Sequence, residues 1–291
     1  MNWPALCAVI LWGASFIANK IALQELSPVH LILLRAILGS LALDALLLYR
    51  GQWSDLAHLS RRDWIRIAGL VLISVFFHQL AQMVGLQKTT AINGALLITL
   101  SPLFMFMLST AFLGERAQWR TVLGFLMAIL GAALVISRGE IGVLYVDRVT
   151  IMGDLLIIVS AGGWALYSIL GKGFVQKHPP LLMVALVFSL SIPILITLGH
   201  YRGENFIAPL FTLSWQGWGA VFFLAWGCSA LAYVLWYGAL QKRKVSHVGI
   251  FQYIQPVVAT LLGIVILHET VTWATVIGGI IVLGGVTLVT R

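Results

Sequence analysis

Trp226, Ser229, Tyr233, Trp236 and Tyr237 recur at three- and four-residue steps, which places indole, hydroxyl and phenol groups on one face of a helix. Ser160, Trp164, Tyr167 and Ser168 repeat the arrangement in another apolar segment. In a third, His78 and Gln82 are four apart with Gln79 beside them, and in a fourth Phe251, Gln252, Tyr253 and Gln255 crowd around Pro256 just after His247. Trp12, Asn19, Asn93, Thr99 and Ser101 come from two further segments. The chemistry common to these groups is recognition. Amides and hydroxyls replace water around an ammonium and a carboxylate, and rings cover a side chain, which suits a zwitterionic, partly apolar solute such as an amino acid. The competing reading is hydrogen bonding and stacking between helices in a closed core.

Catalysis lacks its usual constellations. The nearest match to H-E-x-x-H is "HETVT" at His268, without the second His, and no G-x-S-x-G is present. Asp44 and Asp154 look peripheral, so the deep segments carry almost no carboxylate. Cys7 and Cys228 both fall within apolar segments and read as packing residues, so neither a metal site nor any cofactor is expected. His78 is the one deep group whose ordinary pKa lies near neutrality. It reads first as a neutral hydrogen-bonding imidazole and second as the carrier of a coupled proton.

The elements that must position these residues follow from composition. With 60% hydrophobic and 10% charged residues and a mean hydropathy of +0.98, this is an all-α integral membrane protein. Ten apolar blocks have the length a helix needs to cross a bilayer: Trp3 to Leu23, Pro28 to Tyr49, Trp64 to Leu86, Thr90 to Leu113, Trp119 to Ser137, Met152 to Val175, Pro180 to Leu198, Trp215 to Leu240, His247 to Leu267 and Trp273 to Thr290. They are apolar on every side, which excludes barrel strands. The first block lacks the basic n-region and cleavage site of a secretory signal, so it is kept as a span. The longest connections are too short to bury a core of their own.

The net charge of +8 is distributed by loop, which is a topology signal and gives no reason to expect a nucleic-acid partner. With the N-terminus inside, the inner connections hold Arg50, Arg61, Arg62, Arg66, Arg116, Arg120, Lys172, Lys177, Lys242, Arg243 and Lys244, against Lys20, Lys88, Arg138, Arg148 and Arg202 outside. Both termini are therefore expected in the cytoplasm, and the protein in a bacterial inner membrane.

The chain also repeats itself. "GERAQWRTVLG" from Gly114 returns as "HETVTWATVIG" from His268, and an offset of 154 carried from Leu86 to Ser137 matches about 14 of about 52 positions, Lys88, Pro102, Glu115 and Trp119 among them. At an offset of 152, Trp12 meets Trp164, Lys20 meets Lys172 and Pro28 meets Pro180. The expected organisation is residues 1–150 as one five-span unit and residues 151–291 as a second, together one membrane domain. Five is odd, so the second unit enters the membrane inverted, the architecture of transporters that expose a midplane site to either side in turn.

The pattern W-G-x-x-F from Trp12, then Lys20 and Pro28, Arg35 in the second span, Pro102 in the fourth and "GE" before a Gly-rich helix resembles the EamA branch of the drug/metabolite transporter superfamily, including its YddG-type amino-acid exporters. The second half repeats it as Pro256, Glu269, Gly278 and Gly285, so the resemblance spans essentially the whole chain. It implies ten helices, cytoplasmic termini, a central cavity lined mainly by spans 1, 3, 4, 6, 8 and 9, and export of amino acids or similar small metabolites. Other metabolites or drugs, and a nontransport scaffold or enzyme, are the alternatives. The first span reads "GASF" where small multidrug relatives place a Glu, so facilitated exchange or uniport ranks ahead of proton coupling. Arg35 departs from the repeat, because Val187 stands at its counterpart. Lys20 and Lys172 read as snorkelling or neighbour-paired groups.

Pro102 and Pro256 lie near the middles of spans 4 and 9 and read equally as hinges or as static kinks. Gly124, Ala128 and Gly131 with Gly278 and Gly285 form small faces for close helix packing, within one chain or in a dimer. Partners reduce to a small solute and the lipid bilayer.

Overall fold

The computed structural model describes residues 2–113, 119–137, 148–243 and 248–290. The "GE" motif at Gly114 and Glu115 and the expected start of the ninth span at His247 lie outside the described residues. Among the described residues every regular element is helical. Seven helices are long and apolar enough to cross a membrane: α1 (Trp3–Ala22), α2 (Pro28–Tyr49), α3 (Arg61–Lys88), α4 over Ala91–Leu108, α6 (Arg148–Val175), α7 (Pro180–Tyr201) and α8 (Trp215–Lys242). Three further helices carry shorter described apolar stretches: α5 (Trp119–Ser137), α9 (Ile254–Leu267) and α10 (Trp273–Thr290).

Helix starts follow local chemistry. Ser60 and Asp63 form a capping box, which starts α3 at Arg61 rather than at the expected Trp64. Ser27 caps α2 with Pro28 in its first turn, and Ser214 caps α8. The perimeter is apolar, with Leu48, Ile65, Leu130, Leu155, Val265 and Ile280 all exposed, as a bundle solvated by lipid requires. The interior has two apolar clusters, one holding Leu31, Ile32, Phe188, Leu224 and Trp236 and the other Phe16, Leu97, Ile157 and Val282.

Small residues set the tightest approaches. α5 runs against α10, where a Cβ on Gly131 would lie 2.6 Å from the Gly278 carbonyl oxygen and one on Gly285 would lie 2.5 Å from that of Gly124. With no side chain between them, the two backbones touch.

Four of the helices depart from regular α geometry. α3 widens to a π turn over Ile73–Leu80 and α8 over Phe223–Leu231. α4 breaks at Thr99 and Leu100, between Ala91–Ile98 and Ser101–Leu113, and α9 is preceded by a 3-10 turn over Ile250–Tyr253. Pro102 and Pro256 therefore stand in the first turn of a new helical segment, where no intrahelical partner is lost, rather than inside a continuous kinked helix. Thr99 and Ser101 hydroxyls donate to the carbonyls of Leu96 and Ile98 and hold the break. The two interruptions meet across the bundle, since a Cβ on Gly249 would lie 3.8 Å from Cβ of Pro102.

At one face, the Glu25 carboxylate accepts from Ser214 N (2.7 Å) and Oγ (2.6 Å), Ser27 donates to Glu204, and the Glu269 carboxylate accepts from Ala91 N (2.7 Å) and Ile92 N (3.0 Å). The opposite face carries a cleft of about 750 Å³ lined by Arg50, Pro180, Leu235, Lys242, Arg243 and Phe251, among others.

Candidate functional site

The π turn of α3 begins the site. A Cβ on Gly163 would lie 2.5 Å from the Phe77 carbonyl oxygen, so the glycine lets α6 press against the widened turn. That contact brings His78 to α6, where its Nδ1 is 3.0 Å from Ser160 Oγ and its ring centroid 5.1 Å from that of Trp164. Trp164 in turn meets Trp12 at 5.0 Å and 80°, and Tyr233 at 5.5 Å and 80°, both edge to face. Trp236 and Tyr167 close the cluster from behind at 6.0 and 5.9 Å. Each such pair orients a ring as well as burying it.

α8 supplies acceptors through its own π turn. Trp12 Nε1 donates to the Cys228 carbonyl at 3.1 Å, and Cys228 Sγ reaches the Leu11 carbonyl at 3.4 Å, which seals α1 to α8. Tyr237 donates to the Tyr167 carbonyl at 3.1 Å, its ring packed where Gly171 leaves space.

Between these groups lies a cavity of about 40 Å³ lined by Trp12, Ser15, Phe16, Arg35, His78, Gln82, Ile98, Trp164, Tyr233, Gln252 and Gln255. That volume holds about one water molecule. The rings that wall it pack directly on one another. Ile98, Gln252 and Gln255 reach the lining from the helix interruptions of α4 and α9.

Seven residues singled out from the sequence thus converge on one space: Trp12, His78, Gln82, Trp164, Tyr233, Gln252 and Gln255. Asn19 stands one step behind it, accepting from Arg35. Tyr167, Ser168, Trp236 and Tyr237 are buried behind the aromatic wall. Asn93, Thr99 and Ser101 are buried outside the lining, and Phe251 lines the larger cleft.

Two sequence expectations are corrected. Trp226 is 50% exposed and donates to the Leu38 carbonyl at the perimeter, because the widened turn of α8 rotates it off the face it would share with Ser229 and Tyr233. Asp154 is fully buried and accepts from Thr89, so it is not peripheral. Asp44 is half-buried and accepts from Ser189. The lysines reach neighbours, Lys172 donating to the Arg243 carbonyl at 3.1 Å and Lys20 lying within the field of Glu269.

Sequence reasoning missed Ser15, Phe16, Arg35 and Ile98 as lining residues. The steps Trp12, Ser15, Phe16, Asn19 mark one helical face and were available to find two of them; Ile98 carries no signal. Among the described residues no cluster of acids, histidines and cysteines could hold a metal. The lining offers neutral donors and acceptors, rings and one guanidinium, a set suited to binding.

The pattern of the EamA-like transporter family matches residues 2–137 and again residues 151–291. An uncharacterized transporter of Archaeoglobus fulgidus is 32% identical over 97% of this chain and 94% of its own. A probable amino-acid metabolite efflux pump of Salmonella typhimurium is 25% identical over 97% of this chain and 91% of its own. A protein of known crystal structure shares the fold, with a TM-score of 0.69 at 23% identity over 99% of this chain and 97% of the other.

Proposed function

The chain belongs to the EamA-like transporter family, and on that premise we propose that it exports small metabolites, foremost amino acids including aromatic ones, across the bacterial inner membrane by alternating access. It is a multi-pass membrane transporter and not an enzyme. The observation that carries the substrate reading is the convergence of His78, Gln82, Gln252 and Gln255 with Trp12, Trp164 and Tyr233 around one central space. Amides and an imidazole set among rings match a polar head with an apolar side chain. The efflux-pump relative supports the same class.

In this reading ten spans form two inverted units, 1–150 and 151–291, with both termini in the cytoplasm. The family pattern matching once in each half supports the repeat. So does the exchange of equivalent contacts, Gly131 against Gly278 and Gly124 against Gly285, which an internal two-fold axis would generate. The 750 Å³ cleft with Arg50, Lys242 and Arg243 is then the cytoplasmic vestibule, and the contacts of Glu25 and Glu269 close the outer side. Parting at Pro102 and Pro256, beside the interruptions of α4 and α9, opens the box.

The test is uptake of labelled aromatic and small polar amino acids into proteoliposomes, with and without a proton gradient. Flux without a gradient is the expected result; the absence of flux for every amino acid removes the substrate reading.

A further inference from the structure

We propose that Arg35 is the anion anchor of this site, so that the transported solute must carry a carboxylate that docks on the guanidinium. The proposal rests on the transport reading above and narrows it to anionic and zwitterionic solutes.

Arg35 lies in α2 at 5% exposure. Its Nε donates to Ser229 Oγ at 3.1 Å and its Nη1 to Asn19 Oδ1 at 3.3 Å, both neutral acceptors. Among the described residues the ion pairs are Arg66 and His178 with Asp63, and Arg202 with Glu204; none includes Arg35. A charge taken out of water costs several kcal/mol, an amount that neutral acceptors return poorly and a close opposite charge returns well. The remaining N–H groups belong to a side chain that lines the central cavity, beside His78, Gln82, Gln252 and Gln255, and no lining residue is acidic. The lining therefore presents a guanidinium with no acidic residue beside it.

Geometry favours a ligand over a structural role. Ser229 from α8 and Asn19 from α1 hold the guanidinium from two sides, which fixes its plane in advance of binding. A planar fork of N–H groups matches a carboxylate two bonds at a time. One guanidinium balances one negative charge, whereas a phosphate ester would call for further cations that the lining does not offer. Tyr233, Trp12 and Trp164 line the same space and would cover whatever the carboxylate is attached to.

The repeat supplies the control within the molecule. At an offset of 152, Val187 stands where Arg35 does and Gly171 where Asn19 does, and Val187 is fully buried in α7. A helix in the equivalent place packs with an aliphatic side chain, so the fold does not require a cation there. An ionisable group inside a membrane bundle that packing does not need points to the solute path.

The experiment measures uptake of labelled L-phenylalanine, L-leucine and L-threonine into proteoliposomes, in competition with each unlabelled acid and with its carboxamide, which keeps the ammonium and side chain but loses the negative charge. At least one acid is taken up; the unlabelled acid competes and its carboxamide does not. Arg35→Lys raises the KM at least tenfold, and Arg35→Gln abolishes uptake while eluting as a single species of wild-type size. Equal competition by acid and carboxamide, or undiminished uptake by Arg35→Gln, overturns the anchor and leaves the transporter reading intact. No uptake of any of the three acids by the wild type overturns the anchor together with the amino-acid reading on which it rests, and leaves the family membership standing. Should Arg35→Gln fail to fold, the comparison of acid with carboxamide on the wild type decides alone.

Discussion

Trp12 and Trp164 meet edge to face at the centre of the bundle, their ring centroids 5.0 Å apart and their planes at 80°. The two residues are also equivalent in sequence at an offset of 152. A residue that touches its own counterpart must lie beside the axis relating the two, so in the proposed repeat this pair marks the centre that both openings share.

Trp164→Ala removes ring contacts to Trp12, His78, Tyr167, Tyr233 and Trp236 at once. Truncating a buried aromatic costs about 3–5 kcal/mol in well-packed cores. Uptake is expected to fall at least tenfold, with the protein still inserted and eluting as one species; Tyr237→Ala behaves similarly through its bond to the Tyr167 carbonyl. Normal uptake by both variants would remove the aromatic wall from the mechanism.

Adjacent glycines in α6 make a matched pair. Gly163→Ala drives a methyl to within 2.5 Å of the Phe77 carbonyl and must push the π turn of α3 away, at about 1–3 kcal/mol and with loss of uptake. Nothing lies within 4 Å of the corresponding position on Gly162, so Gly162→Ala should stabilise by about 0.5–1 kcal/mol and leave uptake alone. Melting curves of the two variants in one detergent give the comparison.

His78→Gln should leave the pH profile of uptake unchanged. Its Nδ1 is engaged with Ser160 Oγ, and a proton on the ring would add a second positive charge to a cavity where Arg35 already has no acidic partner. A pH dependence that disappears in this variant would assign the coupled proton to His78 after all.

Outside the spans, the two hydrogen bonds from Ser214 hold the Glu25 carboxyl below the usual carboxylate range. A depressed pKa means that this tie is at full strength above the pKa of the unfolded chain and is lost as pH falls through the lower, folded value. Amide exchange at Ser214, read by mass spectrometry and corrected for intrinsic pH dependence, should therefore accelerate only at acid pH. In Glu25→Ala it should be fast at every pH.

Much of the bundle was legible because lipid imposes length and composition on every span. The inward faces of α6 and α8 were legible as hydroxyls and rings at helical spacing, and Tyr233 and Trp164 stand where that spacing puts them. The π turns were not, since slipping a hydrogen bond by one residue leaves no mark in composition; Trp226 faces outward for that reason. Asp154 looked peripheral because sequence distance from a span end says nothing about Thr89, which reaches it from the connection between α3 and α4. Arg35 was visible as a lone charge, but its relation to Asn19 and Ser229 depends on how three helices pack.

The contact between α5 and α10 carries a mechanical consequence. Side chains that interdigitate can change rotamer and let two helices slide, whereas carbonyl oxygens facing glycine Cα atoms have nothing to rearrange. Gly131 on Gly278 and Gly285 on Gly124 therefore lock this pair like the two halves of a keyed shaft. In the proposed alternating-access cycle, the opening of the aromatic box then falls to the remaining helices, with α5 and α10 moving as one unit.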